Sequence, residues 1–440
     1  MVAPTTKRYT VFSRSKSKSI EDILKACEVV GALNIRTHRL INQVMCNLTD
    51  EQKHSLEISE NLTVKEVKKT RSLDRPIMAY PPASDISTLS VGLNLYTVYN
   101  EMRIAYDPVL DGRGVTVAVL DTGIRETHVS LADKIVHSTN LSSSESATDI
   151  WGHGTGVAYC IAGEDQENSK SGVAPGISIM NIKVLDDIGE GTEENVIDGI
   201  EYVCGLVLDA IDEELHFTDP MYPNIINLSL GSEDDGDPDN PLRVAAREAK
   251  NTYGLEIIAA AGNTGPSITT ITNPACDAEV IAVGAITYEG YELWENSSRG
   301  PTENGLVKPD LVCWGDSIEV ASHESDTGYV AKSGTSYSCP IIVGTEGLIQ
   351  DLTRRVYGQD SLLTYYDWLQ YAYAYCVKPE DAPKEKDNEY GYGIPALSGM
   401  IQQLTRTPST GVAMDSSIIT SVMNFMPVIM MVGILPRMVK

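Results

Sequence analysis

The sequence predicts an α/β fold built on a mostly parallel sheet, and three segments carry that prediction. Residues 115–120 form an apolar run typical of a buried parallel strand, which puts Asp121 at the carboxyl end, where open α/β sheets place their sites. His153 precedes a small, apolar run that looks like a helix entering the core. Ser336 lies at a strand-to-helix junction, and Pro340 suits the first turn of the helix that follows.

The three residue types match the parts of a hydrolytic triad: an aspartate that orients, a histidine that acts as base and a serine that acts as nucleophile. At the start of its helix, the hydroxyl of Ser336 would sit where helix-terminal N–H groups help to hold negative charge. Each segment alone is often a turn or a surface loop, so the inference depends on all three occurring in order. They are Val119-Leu120-Asp121-Thr122-Gly123, Gly152-His153-Gly154-Thr155 and Ser333-Gly334-Thr335-Ser336-Tyr337-Ser338-Cys339-Pro340.

The chain order Asp121, His153, Ser336 resembles that of the subtilisin-like serine proteases. The resemblance implies a three-layer sandwich with a mostly parallel central sheet. It also implies a serine endopeptidase that hydrolyses peptide bonds through an acyl-enzyme and needs no cofactor for catalysis. Residues 255–261 suggest a further strand, and they lead into a segment resembling the one that carries the family's oxyanion asparagine. Asn263 would then donate to the tetrahedral intermediate, although a lone Asn-x-Gly is more typical of a turn.

The resemblance extends over most of the chain after residue 90 and implies a polypeptide substrate bound as an added strand. It assigns substrate contacts to Ser229, Leu230, Gly231, Gly191, Glu193, Gly262 and Thr264. Because Thr264 is uncharged, an apolar or mixed preference is expected in the primary pocket. The run 186–194 carries five acids, which favours Lys or Arg at outer subsites, or else is simply a solvated surface.

Two positions beside the triad depart from the better-known members of that family. Gly156 stands where a second histidine is common, and Tyr337 and Ser338 follow the nucleophile where Met-Ala is frequent. Neither change removes a catalytic group. We therefore expect altered packing near the triad and unaltered chemistry.

Calcium is a candidate structural ion, because the loop after the histidine helix is rich in oxygen ligands. The candidate ligands are Glu164, Asp165 and Glu167. The alternative is a solvated acidic loop. The sequence contains no Cys-x-x-Cys pair and no metal-ligand spacing, and several of the eight cysteines lie in apolar runs, so buried free thiols are expected.

The charge of the chain is large and uneven. The 440 residues carry 61 acids and 34 bases, a net charge of −27, which argues against non-specific nucleic-acid binding. Residues 1–75 hold 14 bases and 9 acids, a net of +5, so the remaining residues carry a net of −32. A basic segment, which we call the leader, therefore precedes an acidic body.

The leader has the pattern of a small α+β domain. Strands are predicted at 8–12, 43–48 and 64–67, and helices with capping signals begin at Ser19 and Thr49. The strand–helix–strand–strand–helix–strand order fits a ferredoxin-like domain and resembles the inhibitory pro-domain of these proteases. By that resemblance the leader is an internal partner of the catalytic domain: it assists folding and then occupies the active site until the chain is cut between them. The opposite charges of leader and body would speed their docking. An unrelated α/β module is the alternative.

The predicted domains are thus the leader at 1–75, a Pro- and Ser-rich linker with the processing site at 76–89, the catalytic domain at 90–407, and a linker and Met-rich tail at 408–440. Residues 418–435 are uncharged and reach the lower limit for spanning a bilayer; a contact with the body or another subunit is the alternative. The first twenty residues hold no apolar stretch of a signal peptide, so a cytoplasmic protein is expected, with the tail as a membrane contact.

Two other functions fit part of the sequence. A subtilisin-like body could act as a binding or structural component assembled through its tail, but such a role has no need of Asp121, His153, Ser336 and Asn263 together. A hydrolase of non-peptide esters would share the triad without the substrate-pairing strands. Retention of all four polar residues favours the endopeptidase.

Overall fold

The computed structural model describes residues 6–14, 17–72, 92–104, 108–289, 291–360 and 365–405. The predicted linker at 76–89 and the tail at 408–440 lie outside these ranges. Within them, every helix is too short or too polar to cross a membrane.

The leader folds as a small α+β domain with two helices on a four-stranded antiparallel sheet of order β2-β3-β1-β4, the predicted ferredoxin-like arrangement. Capping boxes begin both helices, at Ser19 with Asp22 and at Thr49 with Gln52, as predicted. The elements are β1 (Lys7–Phe12), α1 (Ile20–Val29), β2 (Leu33–His38), β3 (Gln43–Leu48), α2 (Asp50–Ser59), β4 (Thr63–Glu66) and a final strand, β5 (Lys69–Ser72).

Strand β2 was not located in the sequence, because four of its six residues are exposed and its pattern lacks apolar alternation. The leader has its own core, made of one face of the sheet and the inner faces of both helices. Its buried residues include Tyr9, Val11, Ile23, Cys27, Val44, Cys46, Leu48, Leu56 and Val64.

The body alternates strands with helices, as its sequence predicts. Its elements are α3 (Leu95–Ile104), β6 (Thr116–Asp121), β7 (Ile135–Asn140), α4 (His153–Ala162), β8 (Glu164–Asp165), β9 (Lys170–Ser171), β10 (Ser178–Lys183), β11 (Glu190–Thr192), α5 (Glu193–Asp212), β12 (Ile225–Leu228), β13 (Leu230–Gly231), α6 (Pro241–Tyr253), β14 (Glu256–Ala260), β15 (Ile281–Ile286), β16 (Leu311–Trp314), β17 (Ile318–Ala321), β18 (Tyr329–Lys332), α7 (Thr335–Tyr357), α8 (Tyr365–Ala374), β19 (Cys376–Val377), β20 (Ile394–Pro395) and α9 (Leu397–Thr405).

Seven parallel strands form the central sheet, in the order β16-β15-β14-β12-β6-β10-β7. Alternate side chains of β6 show why the sheet needs a helical layer on each side: Val117 and Val119 pack with α4 and α7, whereas Ala118 and Leu120 pack with α5 and α6. The predicted three-layer α/β fold is confirmed.

All eight cysteines are free thiols, as expected from their apolar surroundings. Seven are buried and Cys376 is partly buried. Burial raises the pKa of the Cys313 thiol to about 12, which keeps it protonated and unreactive.

Candidate functional site

Asp121 and His153 meet at the carboxyl end of the central sheet. Asp121 is the last residue of β6, and His153 is the first residue of α4, as predicted. The His153 Nδ1 atom lies 2.7 Å from Asp121 Oδ1, and both side chains are at most 1% exposed. The Asp121 carboxylate can therefore hold the tautomer in which Nδ1 carries the proton, with Nε2 as the basic nitrogen.

Asp149, which the sequence analysis did not single out, joins the two elements that carry this pair. Its buried carboxylate accepts five hydrogen bonds, from the Thr122 hydroxyl, the hydroxyl and N–H of Thr155, and the N–H groups of Trp151 and Gly152. Thr122 follows Asp121, and Gly152 precedes His153. Asp149 lies three residues before the N-cap residue Gly152, outside the position at which a capping acid can be recognised, so no local pattern in the sequence marked it.

The residue before α4 has to be a glycine, because the backbone turns at Gly152 into a conformation that other residues rarely adopt. Its φ of 92° lies in the left-handed region, and a Cβ atom there would fall 2.0 Å from His323 Nδ1. Any other residue would therefore strain the backbone and displace His323. The turn before His153 depends on this glycine.

Ser336 is the second residue of α7, so its N–H is one of the helix-terminal groups with no partner inside the helix. The helix begins at Thr335, which corrects the prediction that Pro340 lies in its first turn. Because Pro340 has no N–H, the Ser336 carbonyl is left without its usual helical donor. It accepts instead from Ser229 Oγ at 2.9 Å, while Ser336 Oγ donates to the Ser229 carbonyl at 3.1 Å.

Asn263 follows β14 and is held by the residue before the serine. Its Oδ1 atom accepts from both the N–H and the hydroxyl of Thr335, each at 2.9 Å. These two bonds fix the amide, leaving Nδ2 buried, and in the described part of the chain no hydrogen-bond acceptor reaches it. A buried donor without a partner is rare and marks a place where a ligand oxygen would fit.

The two departures beside the triad are coupled in space. The Tyr337 ring is fully buried, with its centroid 5.7 Å from that of His153. A Cβ atom on Gly156 would lie 3.2 Å from Tyr337 Cε1 and 3.0 Å from Val320 Cγ2. The missing side chain at Gly156 thus leaves room for the larger ring at Tyr337, which packs beside the imidazole.

Strand β5 of the leader lies between β11 and β13, and forms an antiparallel three-stranded sheet with them. Thr70 pairs with Gly191, and Ser72 with Leu230, one residue from Ser229. The Lys69 Nζ atom is 3.4 Å from Glu190 Oε2. The chain's own segment therefore occupies the groove that leads towards Ser336.

Of the seven predicted substrate contacts, the structure brings Gly191, Leu230 and Gly231 to the edges that pair with β5, with Ser229 next to them. The side chain of Glu193 is a correction, because its buried carboxylate is already engaged by the body and accepts from Ser232 Oγ and Asn273 Nδ2. Burial raises the pKa of this carboxyl. The Glu193 contact to the leader is made by its backbone N–H, which donates to the Lys68 carbonyl at 2.9 Å.

The remaining two predicted contacts lie beside Asn263, one on each side. The N–H of Gly262 donates to Thr335 Oγ1 at 3.2 Å, and exposed Thr264 contacts Ser298 Oγ through its hydroxyl at 3.2 Å. Of the five acids at 186–194, Glu190 and Glu194 pair with basic residues of the leader, Lys69 and Arg8. The other three, Asp186, Asp187 and Glu193, have partners within the body. Two of the five acids therefore face the basic leader, and three are engaged by the body itself.

The predicted calcium ligands do not converge on one point. Glu164 Oε2 forms an ion pair with Lys134 Nζ at 3.1 Å, whereas Asp165 accepts from Asn168 Nδ2 at 2.8 Å and from the Tyr329 hydroxyl at 2.7 Å. These carboxylates are therefore engaged by protein donors in two different directions, which does not suit a shared ion.

Comparison with known proteins identifies the family. Residues 112–393 match the model of the subtilase family, Peptidase_S8. The chain is 33% identical to serine protease AprX of Bacillus subtilis over 54% of this chain and 58% of that protein. It is 33% identical to subtilisin DY of Bacillus licheniformis, over 54% and 77%, and 34% identical to the intracellular serine protease of Paenibacillus polymyxa, over 57% and 70%.

The matched residues include the strands and helices that carry Asp121, His153, Asn263 and Ser336, and the chain spans just over half the length of AprX. The chain belongs to the subtilase family of subtilisin-like serine proteases.

Proposed function

We propose that the protein is a serine endopeptidase that uses Asp121, His153 and Ser336 as its triad. The observation that carries the proposal is the buried 2.7 Å contact between His153 Nδ1 and Asp121 Oδ1, at the same carboxyl end of the sheet as the start of α7, where Ser336 lies. In the first step, Ser336 Oγ turns from the Ser229 carbonyl and attacks the substrate carbonyl carbon. Its proton passes to His153 Nε2.

The tetrahedral intermediate carries negative charge on the former carbonyl oxygen. Two donors are proposed to hold it: the Ser336 backbone N–H and Asn263 Nδ2, whose lack of a partner suits that task. The protonated His153 then gives its proton to the leaving amine, and the acyl-enzyme forms. Water, activated by the same imidazole, releases the acid product and restores Ser336. No step requires a metal ion or an organic cofactor.

We also propose that the leader is an inhibitory pro-domain and that the enzyme removes it. Strand β5 pairs with both groove edges, as a substrate strand would, and its carboxyl end at Ser72 lies opposite Leu230. The cut is therefore expected within a few residues after Ser72. The Lys69–Glu190 pair supports a preference for basic residues at an outer subsite. Alternative assembly through the tail rests on residues outside the described ranges.

The test compares Ser336→Ala with Ser338→Ala. Ser338 is equally buried and lies two residues along α7, but its hydroxyl donates to the Thr335 carbonyl at 3.0 Å. Intact mass should show that the unaltered chain and Ser338→Ala lose the leader and degrade casein, while Ser336→Ala stays full length and inactive. Asn263→Ala should lower turnover about 10²–10³-fold.

Two results would contradict the proposal. If folded Ser336→Ala were cut at the same place and rate, self-processing would be wrong. If the folded, unaltered protein, freed of its leader by an added protease, still cleaved neither casein nor a small ester, the triad assignment itself would fail.

A further inference from the structure

A group of three potential metal ligands lies where the leader contacts the body, and one of them is His38, the last residue of β2. His38 is 1% exposed, and its Nδ1 atom is 3.0 Å from Glu201 Oε2 and 3.6 Å from Asp198 Oδ1. Asp198 and Glu201 are three residues apart on α5, so both project from one face of that helix. The cluster thus takes one ligand from the leader and two from the body.

Each carboxylate uses one oxygen to bind the leader and turns the other towards the imidazole. Glu201 Oε1 accepts from the Leu40 N–H at 3.0 Å, and Asp198 Oδ2 accepts from Arg36 Nη1 at 3.0 Å. The remaining atoms, Glu201 Oε2, Asp198 Oδ1 and one ring nitrogen of His38, lie within 4.8 Å of one another. No other trio of this kind was found in the described ranges.

We propose that this cluster binds a divalent transition cation, with Zn²⁺ as the representative ion, and that the ion ties the leader to the body. A nitrogen and carboxylate oxygens are ligands that zinc accepts at about 2.0–2.2 Å, which sets ligand atoms roughly 3.4 Å apart around a tetrahedral ion. The observed separations of 3.0 and 3.6 Å bracket that spacing. The ion would replace the proton that His38 Nδ1 shares with Glu201.

The charge around the cluster also favours a cation. Two other acids of α5, Glu194 and Glu201, lie close enough to Asp198 for their negative charges to act on it, opposed by the positive charge of Arg36. A bound dication would relieve the repulsion between these carboxylates. Arg36 is the facing positive charge, and it already pairs with the outer oxygen of Asp198.

Because the ligands come from two domains, the ion binds strongly to the docked state alone. Ligand present at one hundred times its dissociation constant favours the state that binds it by about a hundredfold. If the leader inhibits the enzyme, as proposed above, zinc should prolong latency. Binding of the ion itself does not depend on that activity.

The decisive experiment titrates ZnCl₂ into the full-length Ser336→Ala chain by isothermal calorimetry. One site is expected, weakened at least a hundredfold by His38→Gln and by Asp198→Asn. His54→Gln is the matched control, because His54 is an exposed histidine of the same domain, on α2. Circular dichroism of each variant checks the fold, and Asp198→Asn provides the answer if His38→Gln does not fold.

Absence of zinc binding, or equal binding by folded His38→Gln and Asp198→Asn, would overturn the proposal and leave a plain histidine–glutamate hydrogen bond. A site that His54→Gln alone removes would be adventitious and would also overturn it. In the unaltered enzyme, zinc should delay the onset of casein cleavage, and Asp198→Asn should abolish that delay. An enzyme with no activity at all would refute the proposed function while leaving the calorimetric result to decide this one.

Discussion

Both ends of the central sheet bury acidic side chains, but the two ends differ in the number of hydrogen-bond donors that reach the carboxyl groups. At the carboxyl end, the Asp149 carboxylate accepts five hydrogen bonds. At the amino end, Glu256 begins β14 and lies near Glu346 of α7; none of the described residues donates to Glu256 Oε2, and the Gln350 side chain, which lowers the pKa of Glu346, does not offset its burial. Burial raises the pKa of both glutamates, that of Glu346 to about 8.

The difference shows that burial does not by itself decide the charge of an acid; the supply of donors does. The start of α4 offers Asp149 backbone N–H groups that have no helical partners, and the Asp149 carboxylate accepts hydrogen bonds from them. Glu346 lies in the middle of α7, where every backbone N–H is already used by the helix. An ionised carboxylate at that position would remain unsolvated, so the proton stays.

The largest effect is expected from Asp149→Ala, which removes the carboxylate that accepts the most hydrogen bonds in this comparison. Five donors lose their acceptor, so the free energy of unfolding should fall by about 4–5 kcal/mol. Because Asp149 links Thr122 to the start of α4, turnover should also fall about a hundredfold, with KM little changed. Urea unfolding in the Ser336→Ala background and peptide hydrolysis in the active enzyme measure the two.

The control for Asp149→Ala is Asp351→Ala. Asp351 is also buried and accepts from the N–H groups of Asp111 and Gly112, each at 3.2 Å, away from the triad. The Asp351→Ala variant should have a lower free energy of unfolding and an unchanged turnover. Equal losses of turnover in the two folded variants would show that Asp149 has no special role in placing His153.

The next effect concerns Glu346, at the amino end of the central sheet, and makes the free energy of unfolding depend on pH. The folded pKa of Glu346, about 8, lies above its usual 4.5, so the folded state retains a proton that the unfolded chain releases between these values. Stability is thus greatest below about pH 4.5 on this account and falls as pH rises to about 8. At roughly 1.4 kcal/mol per pH unit over these 3.5 units, the total loss is about 5 kcal/mol.

Glu346→Gln should remove the share of the slope that Glu346 contributes when urea unfolding is followed between pH 5 and 8 in the Ser336→Ala background, while Glu256, whose pKa burial also raises, keeps the remainder. Glu324→Gln, an exposed acid on the β17–β18 hairpin, should leave the slope unchanged. An unchanged slope in Glu346→Gln would mean that hydrogen-bond donors outside the described contacts already satisfy this carboxyl.

A smaller effect sharpens the comparison by testing packing at the triad end. Gly156→Ala places a Cβ against Tyr337 and Val320, which should cost about 1–3 kcal/mol and lower turnover severalfold by pushing the ring towards His153. Gly205→Ala is the matched helical control, since nothing lies within 4 Å of its added Cβ and it should gain about 1 kcal/mol. Thermal unfolding and peptide hydrolysis distinguish them.

If Tyr337 transmits the effect, the double variant Gly156→Ala, Tyr337→Leu should recover stability relative to Gly156→Ala alone. Strictly additive losses in the double variant would instead place the strain at Val320.

The smallest effect tests acids that obtain their partners from the other domain. Asp237 contacts both Lys65 and Arg14 of the leader, and these contacts outweigh burial to lower its pKa. Asp237→Asn should speed leader release about two- to fivefold at low salt, with the difference vanishing at high salt. The lag before casein cleavage measures release.

Asp239→Asn removes the same charge two residues away and serves as control. If it matched Asp237→Asn, the net charge of the body and not the contact to Lys65 and Arg14 would govern docking.

Much of the site could be predicted because its residues sit at element boundaries that leave local signals. Asp121 ends an apolar strand, His153 begins a helix between glycines, and both leader helices open with capping boxes. Such signals arise within a few residues of chain. Strand β2 gave none, since its residues are largely exposed and its strand state depends on pairing with β3.

The contacts that set chemical state were out of reach for the same reason. Asp149, Glu193 and Glu346 are ordinary acids in the sequence, yet one accepts five hydrogen bonds, one is buried against Ser232, and one is held neutral by burial. Pro340 looked like a helix start, but its effect is to free the Ser336 carbonyl for Ser229.

The sequence alone therefore determined the order of strands and helices, the family and the identity of the four polar residues proposed for catalysis, because these follow from local patterns of apolar, capping and glycine residues. Only the tertiary structure decided which acids are charged, which groove edges receive β5, and that His38 of the leader meets Asp198 and Glu201. Those properties depend on donors, solvent exclusion and charges brought together from distant parts of the chain, and no local pattern encodes them.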